Sequence, residues 1–225
     1  MLIYGSQLVI GLFRFMVSQV LSECYTQARQ VISTVEVESL KKEIRACRYL
    51  SSNQLSNSFS STSGFSIVFK PSGRHRAEEK FPFLKPYFHR VIDELQGTYN
   101  IFYCNVLMIA PGGQVKMHVD SSLSPYLSAR TVPNRVSVFY AQVPTDMSGG
   151  KLILEGGQHG RVAIQPEENL LVSFLGFLRH SVTEMTGAQS RISVVCEHYK
   201  LPEAQLQRVP DFWIESEINR GSIEL

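Results

Sequence analysis

His118, Asp120, His180, Arg191 and Ser193 are the residues of this chain best suited to chemistry. Two imidazoles and one carboxylate can occupy one face of a metal's coordination octahedron and leave three positions open. Zinc accepts the same set in tetrahedral form, so these ligands alone do not separate the metals. On a strand, residues i and i+2 point to one side, so His118 and Asp120 can aim a nitrogen and an oxygen at one point. Arg191 and Ser193 share a strand face in the same way. A guanidinium grips a carboxylate bidentately, and a hydroxyl adds a donor. With six histidines in the chain, an isolated His-x-Asp arises by composition in about one such sequence in ten. The weight lies in order: His-x-Asp after a Gly-Gly turn, intervening strands, a distal histidine, then Arg-x-Ser opening the last strand.

Those residues need strands to hold them. After Gly97 the pattern is β, with strands expected at 99–109, 114–119, 135–142, 151–155, 162–164, 170–175, 181–184 and 191–199. Pro111-Gly112-Gly113, Ser148-Gly149-Gly150, Gly156-Gly157 and Gly187 read as turns. The buried run Leu170–Leu175 delivers His180 near its far end. Eight short strands point to a sandwich or jelly roll. Before them, 7–50 reads as helical: Val17, Val20, Leu21 and Cys24 recur at three- and four-residue spacing. A second helix is expected over 37–49, with Leu40, Ile44 and Cys47 on one face. The serine- and asparagine-rich stretch 51–64 reads as a loop, 65–69 as a strand, and 71–79 as a polar loop. A helix is expected over 81–95, ended by Gly97. These helices would cover one sheet. The tail, 201–225, reads as polar helix or loop anchored by Trp213. The expected division is a support region, 1–98, within the same domain as a jelly-roll core, 99–201, followed by a tail, 202–225.

A chain of 225 residues with 44% hydrophobic and 19% charged residues can bury a sizeable core. The net charge of +2 makes no electrostatic case for nucleic acid. The basic run at 70–76 reads as a solvated loop. Cys24, Cys47, Cys104 and Cys196 form no CxxC pair, which disfavours a zinc or redox motif and fits a reducing, cytoplasmic setting. The apolar stretch 8–13 is too short to span a membrane. His159 reads as a loop residue.

Over about 99–201 the chain resembles the 2-oxoglutarate/Fe(II)-dependent dioxygenase superfamily, in its prolyl 4-hydroxylase-like branch. The resemblance rests on GGQVKMHVD, RVSVFYAQVPTDMSGGKLIL, the strand before His180, and RISVV. It implies an α+β fold with a mainly β core: a double-stranded β-helix, or jelly roll, with N-terminal helices packed on one sheet. It implies Fe(II) on His118, Asp120 and His180, 2-oxoglutarate as cosubstrate, and ascorbate as reductant. Arg191, with Ser193 assisting, would take the far carboxylate of 2-oxoglutarate, and Tyr140 would reach the same group. Many relatives carry a tyrosine on the strand before His-x-Asp; here Asn105 stands on that strand and is expected in a related role. The implied reaction hydroxylates an unactivated C–H bond of an amino acid, small metabolite or protein side chain. It is coupled to decarboxylation of 2-oxoglutarate to succinate and carbon dioxide.

Glu197 falls on the Arg191/Ser193 face, where relatives often have an apolar residue; lining a pocket there, it would favour a polar or cationic substrate. His198 points the other way. The loop 121–133 directly follows Asp120 and is the expected lid. A non-redox cupin-like metal protein, an isomerase or sensor, is the alternative; it would keep the histidines but has no need of Arg191-x-Ser193. A nucleic-acid demethylase would call for a basic groove beyond the run at 70–76.

Overall fold

The computed structural model describes residues 21–216, apart from 22, 53–57, 96, 128 and 157–159. The helix expected before residue 21, His159 and the end of the tail lie outside the described residues.

In chain order the elements begin with strand β1 (Tyr25–Arg29), helix α1 (Thr34–Ala46), β2 (Ser51–Ser52) and β3 (Phe59–Phe69). Helices α2 (Arg74–Lys80) and α3 (Lys85–Val91) follow. The β region holds β4 (Ile101–His118), β5 (Arg135–Gln142), β6 (Ser148–Gly149), β7 (Leu152–Glu155), β8 (Arg161–Ile164) and β9 (Leu170–Leu175). Then come β10 (Arg179–Val182), β11 (Met185–Thr186), β12 (Arg191–Tyr199), α4 (Glu203–Leu206) and β13 (Phe212–Glu215).

Antiparallel pairing runs β1-β9-β5-β12-β4-β10-β7-β8, with β3 also on β4 and β13 on β3. This curled sheet is the expected jelly roll. Its two halves share β4. Residues 101–109 of β4 pair with β12, whereas Val115 and His118 pair with Val182 and His180 of β10. The strand turns between these halves at Pro111-Gly112-Gly113. Gly112 takes φ +78°, which disfavours any side chain, and a Cβ on Gly113 would meet Ala110 O at 2.7 Å. The two strands expected at 99–109 and 114–119 are therefore one bent strand.

Alternation along the central strands sorts residues between two faces. Phe102, Cys104 and Val106 of β4, Phe139 and Ala141 of β5, and Ile192, Val194 and Cys196 of β12 pack outward. They meet Val37, Leu40 and Ile44 of α1 and Tyr87, Phe88 and Val91 of α3 in one buried cluster. The helices thus cover one sheet, as expected. Helix α1 starts at Ser33, whose hydroxyl accepts from the Glu36 N–H while the Glu36 carboxylate accepts from the Ser33 N–H. Cys104 and Cys196 are buried, as anticipated.

Five expectations need correction. The helix expected over 81–95 is a 3-10 turn at Pro82–Leu84, then α3, then a second 3-10 turn at Asp93–Leu95. The helical reading of 7–50 fails at 25–29, which forms β1 on the edge of β9, Tyr25 opposite Phe174. Pairing with an open sheet edge outweighs the weak local preference there. The loop expected at 51–64 contains β2 and the first half of β3, because Phe59–Gly64 gains a ladder with β4; an irregularity at Ser61, φ +50°, is what remains of loop character. The loop expected at 71–79 is a 3-10 turn, Pro71–Gly73, leading into α2. Arg74 stabilises that helix by bridging Glu78, at 2.6 Å, and Asp93. Lys70 pairs with Asp211 at 3.1 Å, so these two cations of the basic run are already engaged. In the tail, Phe212–Glu215 is a strand on β3. Trp213 packs against a cluster containing Val68, Tyr199 and Leu201, which fits its expected anchoring role.

His198 faces the helix side as expected, in edge contact with Phe102 and with Nε2 3.1 Å from the Ser137 hydroxyl. Burial lowers its pKa to about 3. Its folded value lies below the ordinary value of about 6.5. Its stabilising contribution is therefore complete above about pH 6.5 and is lost as the pH falls towards 3. The expected cost between pH 8 and pH 5 is about 2 kcal/mol. Thermal unfolding of His198→Phe should show a shallower loss over that interval; equal slopes would show that His198 is not buried neutral.

Candidate metal centre and adjoining cavity

The register of β4 and β10 sets His118 directly opposite His180, with ring centroids 4.3 Å apart. Asp120, two residues past His118, faces both. His118 Nε2 lies 3.2 Å from Asp120 Oδ1, and His180 Nε2 lies 3.4 Å from Oδ2. One donor atom from each of the three residues falls within 4.8 Å of the others. Donors about 2.1 Å from a common ion sit about 3.0 Å apart when cis on an octahedron and about 3.4 Å apart on a tetrahedron. Each His–Asp separation falls in that range, through a different carboxylate oxygen for each histidine.

The surroundings fit as well. The backbone carbonyl of Lys116 lies 2.8 Å from His118 Nδ1, and that of Leu178 lies 3.2 Å from His180 Nδ1. A carbonyl only accepts, so each Nδ1 carries the proton and each Nε2 presents a lone pair to the centre. Asp120 Oδ2 is buried without a hydrogen-bond partner. Burial opposes ionisation of Asp120, yet the two histidines outweigh it and hold the carboxyl below the usual carboxylate range. Burial also opposes protonation of His180, but Asp120 raises its pKa above the ordinary value.

The three residues open onto a cavity of about 450 Å³ between the halves of the sheet. Alternation delivers the other expected residues to the same space: Arg191, Ser193, Val195 and Glu197 from β12, Tyr140 from β5, and Asn105 from β4. Arg191 is 1% exposed. It donates from Nη1 to the Gly150 carbonyl at 2.7 Å, its Nε has no partner, and its guanidinium lies 5.3 Å from the Tyr140 ring. Burial lowers the pKa of Arg191. A buried cation of this kind calls for an anion. Ser193 is buried one position along the same face, and its hydroxyl lies 3.5 Å from the Leu107 carbonyl. Asn105 Oδ1 is buried and unpartnered.

Glu197 lines the cavity. It accepts hydrogen bonds from the Ser122 hydroxyl and N–H and from the Tyr199 hydroxyl. Burial, and then the charge of Asp120, push its carboxyl up to about 8. The first part of the loop 121–133 is fixed rather than free: Leu123 and Leu127 are buried against Val68, Ile101 and Tyr103.

Among the lining residues that the sequence pattern did not single out are two polar ones that touch each other, Tyr103 and Glu215. The Tyr103 hydroxyl donates to Glu215 Oε2 at 2.6 Å, and the Tyr126 hydroxyl donates to Oε1. The one signal for Glu215 is the run Phe-Trp-Ile-Glu, whose strand character emerges only on pairing with β3.

No protein-family model matches the chain, and no curated protein matches it. Solved structures do. A Pseudomonas putida prolyl-4-hydroxylase is 19% identical, with 83% of this chain and all of that one aligned at a TM-score of 0.57. A Trichoplax adhaerens prolyl hydroxylase, solved with a hypoxia-inducible-factor peptide, is 16% identical over 93% of this chain and 98% of its own, at 0.59. A 2OG-Fe(II) oxygenase family protein from Burkholderia pseudomallei is 12% identical over 83% and 90%, at 0.59. The chain has their fold. Identities this low make the likeness one of architecture.

Removing one ligand of three should weaken metal binding by at least about 100-fold, because even outer-shell losses cost 10- to 100-fold. Anaerobic calorimetric titration of Asp120→Ala with Fe(II) checks this. Affinity equal to that of the unaltered protein would mean the metal binds elsewhere.

Proposed function

We propose that this protein is an Fe(II)- and 2-oxoglutarate-dependent dioxygenase that hydroxylates an unactivated C–H bond of an organic substrate. The observation that carries this reading is the buried, under-partnered Arg191 guanidinium in the same cavity as His118, Asp120 and His180. A non-redox metal protein of similar fold has no use for that cation. Prolyl hydroxylases among the neighbours support the same class.

The chemistry supplied by Fe(II) and 2-oxoglutarate once bound is oxygen activation, with 2-oxoglutarate leaving as succinate and carbon dioxide. His118, Asp120 and His180 would hold the metal and leave its remaining positions to exchangeable ligands. Arg191 would take the far carboxylate of 2-oxoglutarate, neutralising its own buried charge in the same contact. Ser193 and Tyr140 stand beside Arg191 and would orient that carboxylate through their hydroxyls. Asn105, two strand positions from Leu107 on the same face, offers an amide to the middle of the cavity. Leu107, Val138, Val182 and Val195 line the walls and exclude water from the reacting atoms.

Two measurements test this. With Fe(II), and with ascorbate as reductant, succinate formation should be lost in His180→Ala; unaltered turnover would end the assignment. Arg191→Ala removes charge-assisted contacts worth about 2–3 kcal/mol, so the KM for 2-oxoglutarate should rise about 30- to 150-fold. An unchanged KM would remove Arg191 from the cosubstrate site.

A further inference from the structure

We infer that the substrate presents an organic cation, a protonated amine or a guanidinium, to Glu197 and Glu215. This rests on the oxygenase reading above and extends it to substrate class.

The cavity is electrically polarised along β12. Arg191 and Glu197 face the same space from positions six residues apart, about 20 Å of extended strand. The metal ligands adjoin the Glu197 end: Ser122, two residues beyond Asp120, donates its N–H to Glu197 Oε2 at 3.4 Å. One end therefore offers a cation, and the other, beside the metal ligands, offers carboxylates.

Charge balance favours a third ionic partner. A divalent metal and Arg191 are matched by Asp120 and a dianionic cosubstrate. Glu197 and Glu215 are left over, and a cation beside Glu197 would favour the ionised form of a carboxyl that burial otherwise raises. Their hydrogen-bond donors are all neutral: Ser122 and Tyr199 for Glu197, Tyr103 and Tyr126 for Glu215. Among the described residues, Arg191 is the one lysine or arginine lining the cavity. Arg130 lies outside it and donates to the Val119 carbonyl.

Hydrogen-bond capacity points the same way. Asn105 Oδ1 is a lining acceptor with no donor, on a residue 8% exposed. In the strand ladder Asn105 sits beside Ser66, which in turn pairs with Glu215. An ammonium brings three N–H donors and a guanidinium five, and neither brings an acceptor. A neutral or anionic substrate would bring no counter-ion to Glu215 and would leave Glu197 to relieve its burial by protonation. The cavity's volume falls within the roughly 300–1,000 Å³ usual for ligand pockets. Glu197 is deeply buried and Glu215 half-buried, so the cation would pass the second to reach the first.

Calorimetric titration of the full chain, loaded with redox-inert Ni(II) and 2-oxoglutarate, tests the inference without turnover. The probes are L-arginine, agmatine and L-lysine, with L-citrulline and L-norleucine as the neutral counterparts of arginine and lysine. At least one amino acid cation should bind tenfold or more tightly than its neutral counterpart. Glu197→Gln should bring that ratio to within about twofold, and Glu215→Gln should lower it. Glu215 lies at the cavity edge, so Glu215→Gln carries the test if Glu197→Gln fails to fold. Binding of none of the three cations, equal binding of the neutral counterparts, or a ratio untouched by the glutamine variants overturns the inference. The underlying reading fails separately: glutamate-dependent cation binding without any 2-oxoglutarate binding or succinate release would sink the oxygenase assignment alone.

Discussion

The pairing of His118 with His180 is the constraint on which the site depends. It exists because β4 belongs to both halves of the sheet. Its first half is clamped between β3 and β12, and its second half crosses to β10. The ladder therefore sets the separation of the two imidazoles, and Asp120 follows from being two residues further on. The same clamp orders the cosubstrate side. The β4–β12 ladder places Arg191 opposite Ile109 and Ser193 opposite Leu107. One strand thus carries both the metal end and the frame for the anion end.

Such a site works against stability. Arg191 and Glu197 are 1% and 3% exposed, and Asp120 keeps a buried oxygen without a hydrogen bond. Each buried ion costs several kcal/mol before its partners compensate. The compensation comes from the opposite face of the same strands. There Ile192, Val194 and Cys196 pack against the covering helices in the largest apolar cluster described. β12 is thereby divided by its own alternation, residue by residue, into a reactive face and a structural one. The helices that touch no ligand still hold the reactive face in place.

The sequence was legible where elements are central and alternate cleanly. The strands expected at 135–142, 170–175 and 191–199 match β5, β9 and β12 at both ends, since each is paired on both sides and its pattern is enforced by two neighbours. His118, Asp120, His180, Arg191 and Ser193 all reach one cavity, together with Tyr140 and Asn105. The misses fall on segments whose structure comes from a distant partner. β1, the first half of β3, and β13 carry weak local signals and become strands because an edge awaits them. Glu215 was hidden for that reason: its approach to the cavity depends on a register between residues 66 and 215 that no local spacing encodes. Similarly, the polar run at 71–79 hid a helix because Arg74 finds Asp93, nineteen residues away.

The bend in β4 also says what this chain can tolerate over evolutionary time. Asn105 and His118 lie on one continuous strand, with the turn between them packed too tightly at Gly113 to accept a methyl group. A one-residue insertion or deletion in that interval would turn His118 to the outer face unless a bulge absorbed it, as the register shifts at Ser60/Thr62 and His180/Val182 already do. A two-residue change would keep the face but shift it by about 7 Å along the ladder, away from His180. The loops around the cavity are under no such arithmetic. Lineages of this fold can therefore diverge freely in loop length while the span from 105 to 118 stays fixed in length, a ruler inside the barrel.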